Sequence, residues 1–195
     1  EAISNLNGYK QSETLFISIA AGITLKQLEQ AISSDSTIIR AMPNTPSAVG
    51  KGITALIGNS AAKNEHILIS KILLEKISEV VELEHEDQMD IVTGLSGSGP
   101  AYVFYLIESL TNAGIELGLS KEKALHLAKA TVAGSGALAM SSTENPSVLR
   151  ENVTSPNGTT QAGLEILMDK KDGLGPLIKS TVEAAAKRSK ELGNG

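Results

Sequence analysis

Apolar positions in the first 87 residues fall in short, nearly continuous runs separated by amphipathic stretches, and beyond residue 87 they recur at helical spacing. The run Thr14-Leu-Phe-Ile-Ser-Ile-Ala-Ala, ended by Gly22, predicts a strand covered on both faces, as in a parallel sheet. Leu25, Leu28 and Ile32 then share one helical face behind Thr24, a residue type that caps helix starts. Ser36 to Met42 predicts a second strand that ends in the stiff turn Pro43-Asn-Thr-Pro. Residues 53–57 predict a third strand, 61–78 an amphipathic helix, and Glu79-Val-Val-Glu-Leu-Glu a last strand. Such alternation belongs to the α/β class with a mostly parallel sheet.

In the second part Ser98 or Gly99 opens a helix through Val103, Phe104, Leu106, Ile107, Leu110 and Ala113, closing near Gly118. Ser120 caps a longer one, Lys121 to about Ser142, that carries Ala128, Ala130, Ala133, Gly134, Gly136, Ala137 and Ala139. Each interior Gly costs about 1 kcal/mol relative to Ala, so this stripe predicts close packing against some neighbour. Pro146–Asn152 predicts a short helical turn, and Pro176 to Leu192, followed by Gly193, a final helix. The change of period places a boundary after residue 87, giving an α/β part over 1–87 and an all-helical part over 88–195.

Composition narrows the partners. The net charge of −5 without a basic cluster argues against nucleic acid, which needs concentrated Lys and Arg. No apolar run reaches the roughly 18 to 20 residues that cross a bilayer and no signal-peptide pattern opens the chain, so no membrane partner and a cytoplasmic location are the expectations. Absence of Cys excludes disulfides and thiolate catalysis, and His66, His85 and His126 lack metal-ligand spacing, so no metal is expected. With aromatics at 3%, the helical part has a modest core, and burial of some of its apolar surface against another subunit is expected. The chain opens on Glu1 without an initiating Met, and the expectation is a fragment.

Candidate chemistry lies in three places. Val153-Thr-Ser-Pro-Asn-Gly-Thr-Thr combines a fixed φ at Pro156, residues tolerant of left-handed backbone at Asn157 and Gly158, and Thr159 or Thr160 as caps for the helix that follows. It reads either as an ordinary capped helix start or as an anion site, because unpaired N–H groups and the positive helix end converge there. Ala20-Ala21-Gly22 and Met42-Pro43-Asn44 follow predicted strands, where ligands of open α/β sheets rest, although turn chemistry alone also explains them. A G-x-G-x-x-G loop is not found; Gly97-Ser-Gly-Pro-Ala-Tyr imitates its start, but Tyr102 replaces the third Gly.

Four segments together resemble the pyrroline-5-carboxylate reductase family: Ile19-Ala-Ala-Gly-Ile, Arg40-Ala-Met-Pro-Asn-Thr-Pro, Val92-Thr-Gly-Leu-Ser-Gly-Ser-Gly-Pro-Ala-Tyr and Val153-Thr-Ser-Pro-Asn-Gly-Thr-Thr-Gln-Ala-Gly-Leu. The resemblance implies a partial Rossmann-type sheet over 1–87, the C-terminal part of an NAD(P)-binding domain, followed by an all-α dimerisation and substrate-binding domain over 88–195. It implies reduction of 1-pyrroline-5-carboxylate to L-proline by NADPH or NADH, in a homodimer or higher homo-oligomer. By motif position Ala20, Ala21, Gly22, Met42, Pro43, Asn44 and Glu86 would border the cofactor. Asn152, Ser155, Pro156, Asn157, Gly158, Thr159 and Thr160 would meet the substrate. Thr160, as the catalytic position, would donate a hydrogen bond to the ring nitrogen, orienting the substrate while water or the iminium form supplies the proton.

Two departures stand out. Asn157 replaces a common Gly, and the family's first βαβ unit with its glycine-rich phosphate loop is not among these residues. A family paralogue acting on another imine, or a catalytically incomplete dimerisation fragment, are the alternatives.

Overall fold

The computed structural model describes residues 14–193. The described residues form two compact units, one made of residues 14–100 and 181–193, the other of residues 101–180. The sheet ends at Glu82, close to the change of sequence period, yet residues 88–100 and 181–193 join the first unit. Periodicity reports the type of an element; it does not say which neighbour the element packs on.

The first unit is built on a four-stranded sheet in the order β1 (Leu15–Ser18), β2 (Thr37–Met42), β3 (Gly52–Gly58), β4 (Ser78–Glu82). Helix α1 (Leu25–Ala31) links β1 to β2, and α2 (Asn64–Leu74) links β3 to β4. Both of those pairs are parallel, while β2 and β3 run antiparallel. Residues 43–51, which contain a 3-10 turn at Thr45–Val49, are too few to carry a parallel crossover, so the chain reverses there. Successive β2 residues point to opposite faces. Ile38 packs with Leu25 and Leu28 of α1, and Ile39 and Ala41 pack with Leu56, bordered by Ile67 and Leu74 of α2.

Helix α1 starts with the cap expected at Thr24. Its hydroxyl accepts from the Gln27 N–H at 3.2 Å, and Gln27 Oε1 accepts from the Thr24 N–H at 2.9 Å. The chain then leaves the sheet through α3 (Gln88–Val92) and a π-helical turn at Thr93–Gly97, neither of them evident from the sequence pattern. Ser189 Oγ of the returning segment donates to Asp90 Oδ1 at 2.6 Å.

The second unit holds most of α4 (Gly99–Glu116), then α5 (Lys121–Ser141), α6 (Pro146–Asn152), α7 (Thr159–Leu167) and the opening of α8 (Leu174–Gly193). Ser120 caps α5 as expected, accepting from the Lys123 N–H at 3.4 Å. Helices α4 and α5 meet through small residues, since a side chain at Gly114 would reach Ala124 Cβ at 3.2 Å. Further along α5 the close packing expected of the small-residue stripe is not supplied by the described residues: at Gly134 and Gly136 the space is open. Among the described residues no helix is long and apolar enough to cross a membrane.

Candidate functional site

In the first unit the candidate residues gather at the carboxyl edge of β1 and β2. Those strands are parallel and adjacent, with Ser18 beside Arg40, so the turns that follow them leave the sheet at the same edge. Ile19, 62% exposed, and the exposed Ala20 and Ala21 make an open, small-residue turn, and Gly22 closes it with φ of 74°. Met42, Pro43 and Asn44 are half-buried beside it.

Asn44 uses both ends of its amide. Its Oδ1 accepts from the Ile53 N–H at 3.0 Å and its Nδ2 donates to the Ser96 carbonyl at 3.1 Å. Glu86 is similarly occupied. Its Oε1 takes the Arg40 Nη1 at 2.7 Å and the Leu25 N–H, also at 2.7 Å. Arg40 is only 3% exposed, a buried cation within the sheet that requires this partner. Glu86 therefore joins β2 to the first turn of α1, beside the Ala20–Gly22 turn.

In the second unit the Val153–Thr160 stretch enters α7 differently from expectation. The N-cap is Gly158, without a side-chain capping bond, and Thr159 and Thr160 are the first two helical residues, so neither is a cap. Asn157 is left-handed at φ 57°, the conformation for which Asn is suited, and its N–H donates to Gln161 Oε1 at 2.8 Å. A side chain at Gly158 would stand 2.3 Å from Ser155 Oγ and 3.0 Å from the Ser155 carbonyl, so the turn is folded tightly on itself. Ser155, Pro156, Asn157, Thr159 and Thr160 are exposed. The first N–H groups of α7 have no intrahelical carbonyl to bond, as at any helix start.

Asn152 is placed apart from that turn's hydrogen bonds, its Nδ2 donating to Glu144 Oε2 at 3.3 Å. A shallow open groove runs behind the loop between Arg150, Glu151, Thr154, Gln161 and Leu164, and Thr160 does not line it. Arg40 and Gln161 were not singled out in the sequence. A lone charge inside Thr-Ile-Ile-Arg-Ala-Met, and an amide four residues after Asn157, were the available signals. Among the described residues no group of three or more His, Asp or Glu side chains could hold a metal ion.

A four-stranded mixed sheet with ligand-type turns at one edge, followed by helices, defines the class: a Rossmann-like region with a helical domain after it. The family model described as pyrroline-5-carboxylate reductase dimerisation matches residues 86–192. The chain is 40% identical over 191 residues to pyrroline-5-carboxylate reductase 1 of Bacillus subtilis, covering 98% of this chain and 63% of that protein. With the Arabidopsis thaliana pyrroline-5-carboxylate reductase it shares 39% identity, over 98% of this chain and 68% of the relative. The crystal structure of Plasmodium falciparum pyrroline carboxylate reductase with NADP bound superposes with a TM-score of 0.87 at 34% identity, covering 98% of this chain and 75% of that one. The chain thus belongs to the pyrroline-5-carboxylate reductase family, and spans about two thirds of the length of these two sequence relatives.

Proposed function

We propose that the protein carrying this chain reduces 1-pyrroline-5-carboxylate to L-proline with NADPH or NADH, the last step of proline synthesis. The observation that carries the proposal is the turn into α7. A left-handed Asn157 and a Gly158 with no room for a side chain lead into a helix start without a side-chain cap. Its first amides are available to an anion, and the substrate's carboxylate supplies one.

With the carboxylate on those amides, the Thr160 hydroxyl hydrogen-bonds the ring nitrogen, donating to the neutral imine or accepting from the iminium N–H, and fixes the orientation of the ring. A Thr hydroxyl is a weak acid, so the proton on nitrogen comes from the iminium form of the substrate or from water. Ser155, Pro156, Asn157 and Thr159 form the walls of the turn. Asn152, exposed at the end of α6, lies close enough in sequence to reach the substrate bound at the turn. The reduced nicotinamide, when bound, supplies the hydride. Ala20, Ala21 and Gly22, with Met42, Pro43 and Asn44, suit that group because the small exposed side chains of Ala20 and Ala21 leave room for a flat ring beside the half-buried Met42–Asn44 turn. Glu86 holds the neighbouring start of α1 in place.

The proposal includes a homodimer, action in the cytoplasm and NADPH as the preferred donor. The family description of a dimerisation region over residues 86–192 supports the dimer, as do Phe104, Tyr105, Leu138 and Met140, all exposed in the single chain. NADP in the Plasmodium falciparum relative supports the donor. The test is oxidation of NADPH and of NADH by the purified protein with 1-pyrroline-5-carboxylate, compared with the six-membered cyclic imine acid. Turnover of the five-membered ring is expected. Preference for the larger ring would replace the substrate, and a dimer that turns over neither would refute the reaction.

A further inference from the structure

We propose that Asn44 is a positioning residue. Together with the π-helical turn at Thr93–Gly97 it fixes the backbone of the Met42–Asn44 turn, against which the nicotinamide ring is placed in the function proposed above, and the inference rests on that reading. Both polar atoms of its side chain are engaged within the protein: Oδ1 with the Ile53 N–H, Nδ2 with the Ser96 carbonyl. It is thus a strut between the start of β3 and the segment leading out of the sheet.

The sequence explains why the Ser96 carbonyl is available. In an α-helix it would accept from the residue four positions on, and that residue is Pro100, which has no N–H. Here the helix is locally widened, with the Ser98 N–H bonded to the Thr93 carbonyl five residues back. Asn44 supplies the donor that Pro100 cannot. The same turn receives the Met42 side chain at Gly97, where a Cβ would stand 2.5 Å from Met42 Cε. Segment 93–97 therefore meets the turn at two points, by the hydrogen bond to Asn44 and by the Met42 side chain lying over Gly97.

Asn44→Asp keeps an acceptor for the Ile53 N–H and sets an oxygen against the Ser96 carbonyl. Gly97→Ala pushes the end of the Met42 side chain away. Three readouts on the protein carrying this chain decide the matter: kcat with 1-pyrroline-5-carboxylate, the fluorescence of bound NADPH, and the affinity for ADP-ribose 2′-phosphate, which has no nicotinamide. For Asn44→Asp and Gly97→Ala we expect kcat to fall by about fivefold or more, with affinity for ADP-ribose 2′-phosphate within about twofold of wild type. Bound NADPH should emit more like the free cofactor in both single variants. Wild-type emission and kcat in both single variants would overturn the inference. So would equal losses of NADPH and ADP-ribose 2′-phosphate binding, which mark general damage. An inactive wild type would refute the proposed reaction, and the fluorescence comparison would still decide the role of Asn44.

Discussion

Glu86 offers a direct way to separate a structural carboxylate from a cofactor ligand. Glu86→Ala removes the counter-charge of Arg40 and the acceptor of the Leu25 N–H in one step. Breaking a buried ion pair typically costs about 3 to 5 kcal/mol. The Arg40 side chain is 4% exposed but that of Glu86 is 30% exposed, so water screens the pair and the cost falls below that range, to about 2 to 3 kcal/mol. Loss of the helix-start acceptor adds about 1 kcal/mol. The expected destabilisation is about 3 to 4 kcal/mol, and with a urea slope of about 2 to 3 kcal/mol per molar the unfolding midpoint should fall by about 1 to 2 M. Glu86→Gln retains an acceptor and should lose roughly half as much. The assay is urea unfolding at pH 7 in the absence of cofactor, followed by far-UV circular dichroism. An Ala variant with the wild-type midpoint and weakened NADPH binding would refute the reasoning, because it would make the carboxylate a cofactor group with no clasping role.

Three further outcomes follow from the second unit. Thr160→Ala should lower kcat/KM for 1-pyrroline-5-carboxylate by more than about tenfold, or about 1.4 kcal/mol, and an unchanged value in steady-state assays removes Thr160 from the site. Asn157→Ala places an ordinary side chain at φ 57° and should cost about 1 kcal/mol and raise the substrate KM, whereas Asn157→Gly should keep both near wild type. Thermal unfolding with parallel kinetics compares the two. Backbone N–H groups of Asp172 and then Lys171 hold the Asp169 carboxyl below its ordinary pKa. A depressed carboxylate contributes stability above its unfolded pKa and loses it as pH falls through the folded value, so this turn should loosen only in strong acid. A carboxyl titration followed by NMR with a midpoint at or above that of an ordinary Asp would contradict it.

The α/β class, the strands at 36–42 and 53–57, the caps Thr24 and Ser120, and the helices of the second part were legible because period and capping chemistry are local signals. The reversal at β2–β3 was not read, although the short spacing between Met42 and Gly52 contained it. The π-helical turn is not legible in the sequence pattern, and neither is its hydrogen bond to Asn44, 52 residues away from Ser96 in sequence. The Ser155–Thr160 turn was found through Pro156, Asn157 and Gly158, but the cap was placed one or two residues late. A Thr resembles a cap in any sequence, and only backbone geometry distinguishes an N-cap from the first helical residue. Glu86 was assigned by motif, and what it touches depended on a buried Arg40 whose partner no local pattern names.

The short reversal between β2 and β3 also bears on how the chain folds. Pairing β1 with β2, or β3 with β4, requires closing a loop long enough to hold a helix, whereas β2 and β3 meet after residues 43–51 alone. Loop-closure entropy grows with length, so this hairpin-like pair is the cheapest first contact of the sheet. Assembly of the first unit is expected to start there, with β1 and β4 added to its two sides. The connection that carries Pro43 and Asn44, two of the residues proposed to border the cofactor, would then also set the pace of folding, and substitutions in that turn would alter refolding rates as well.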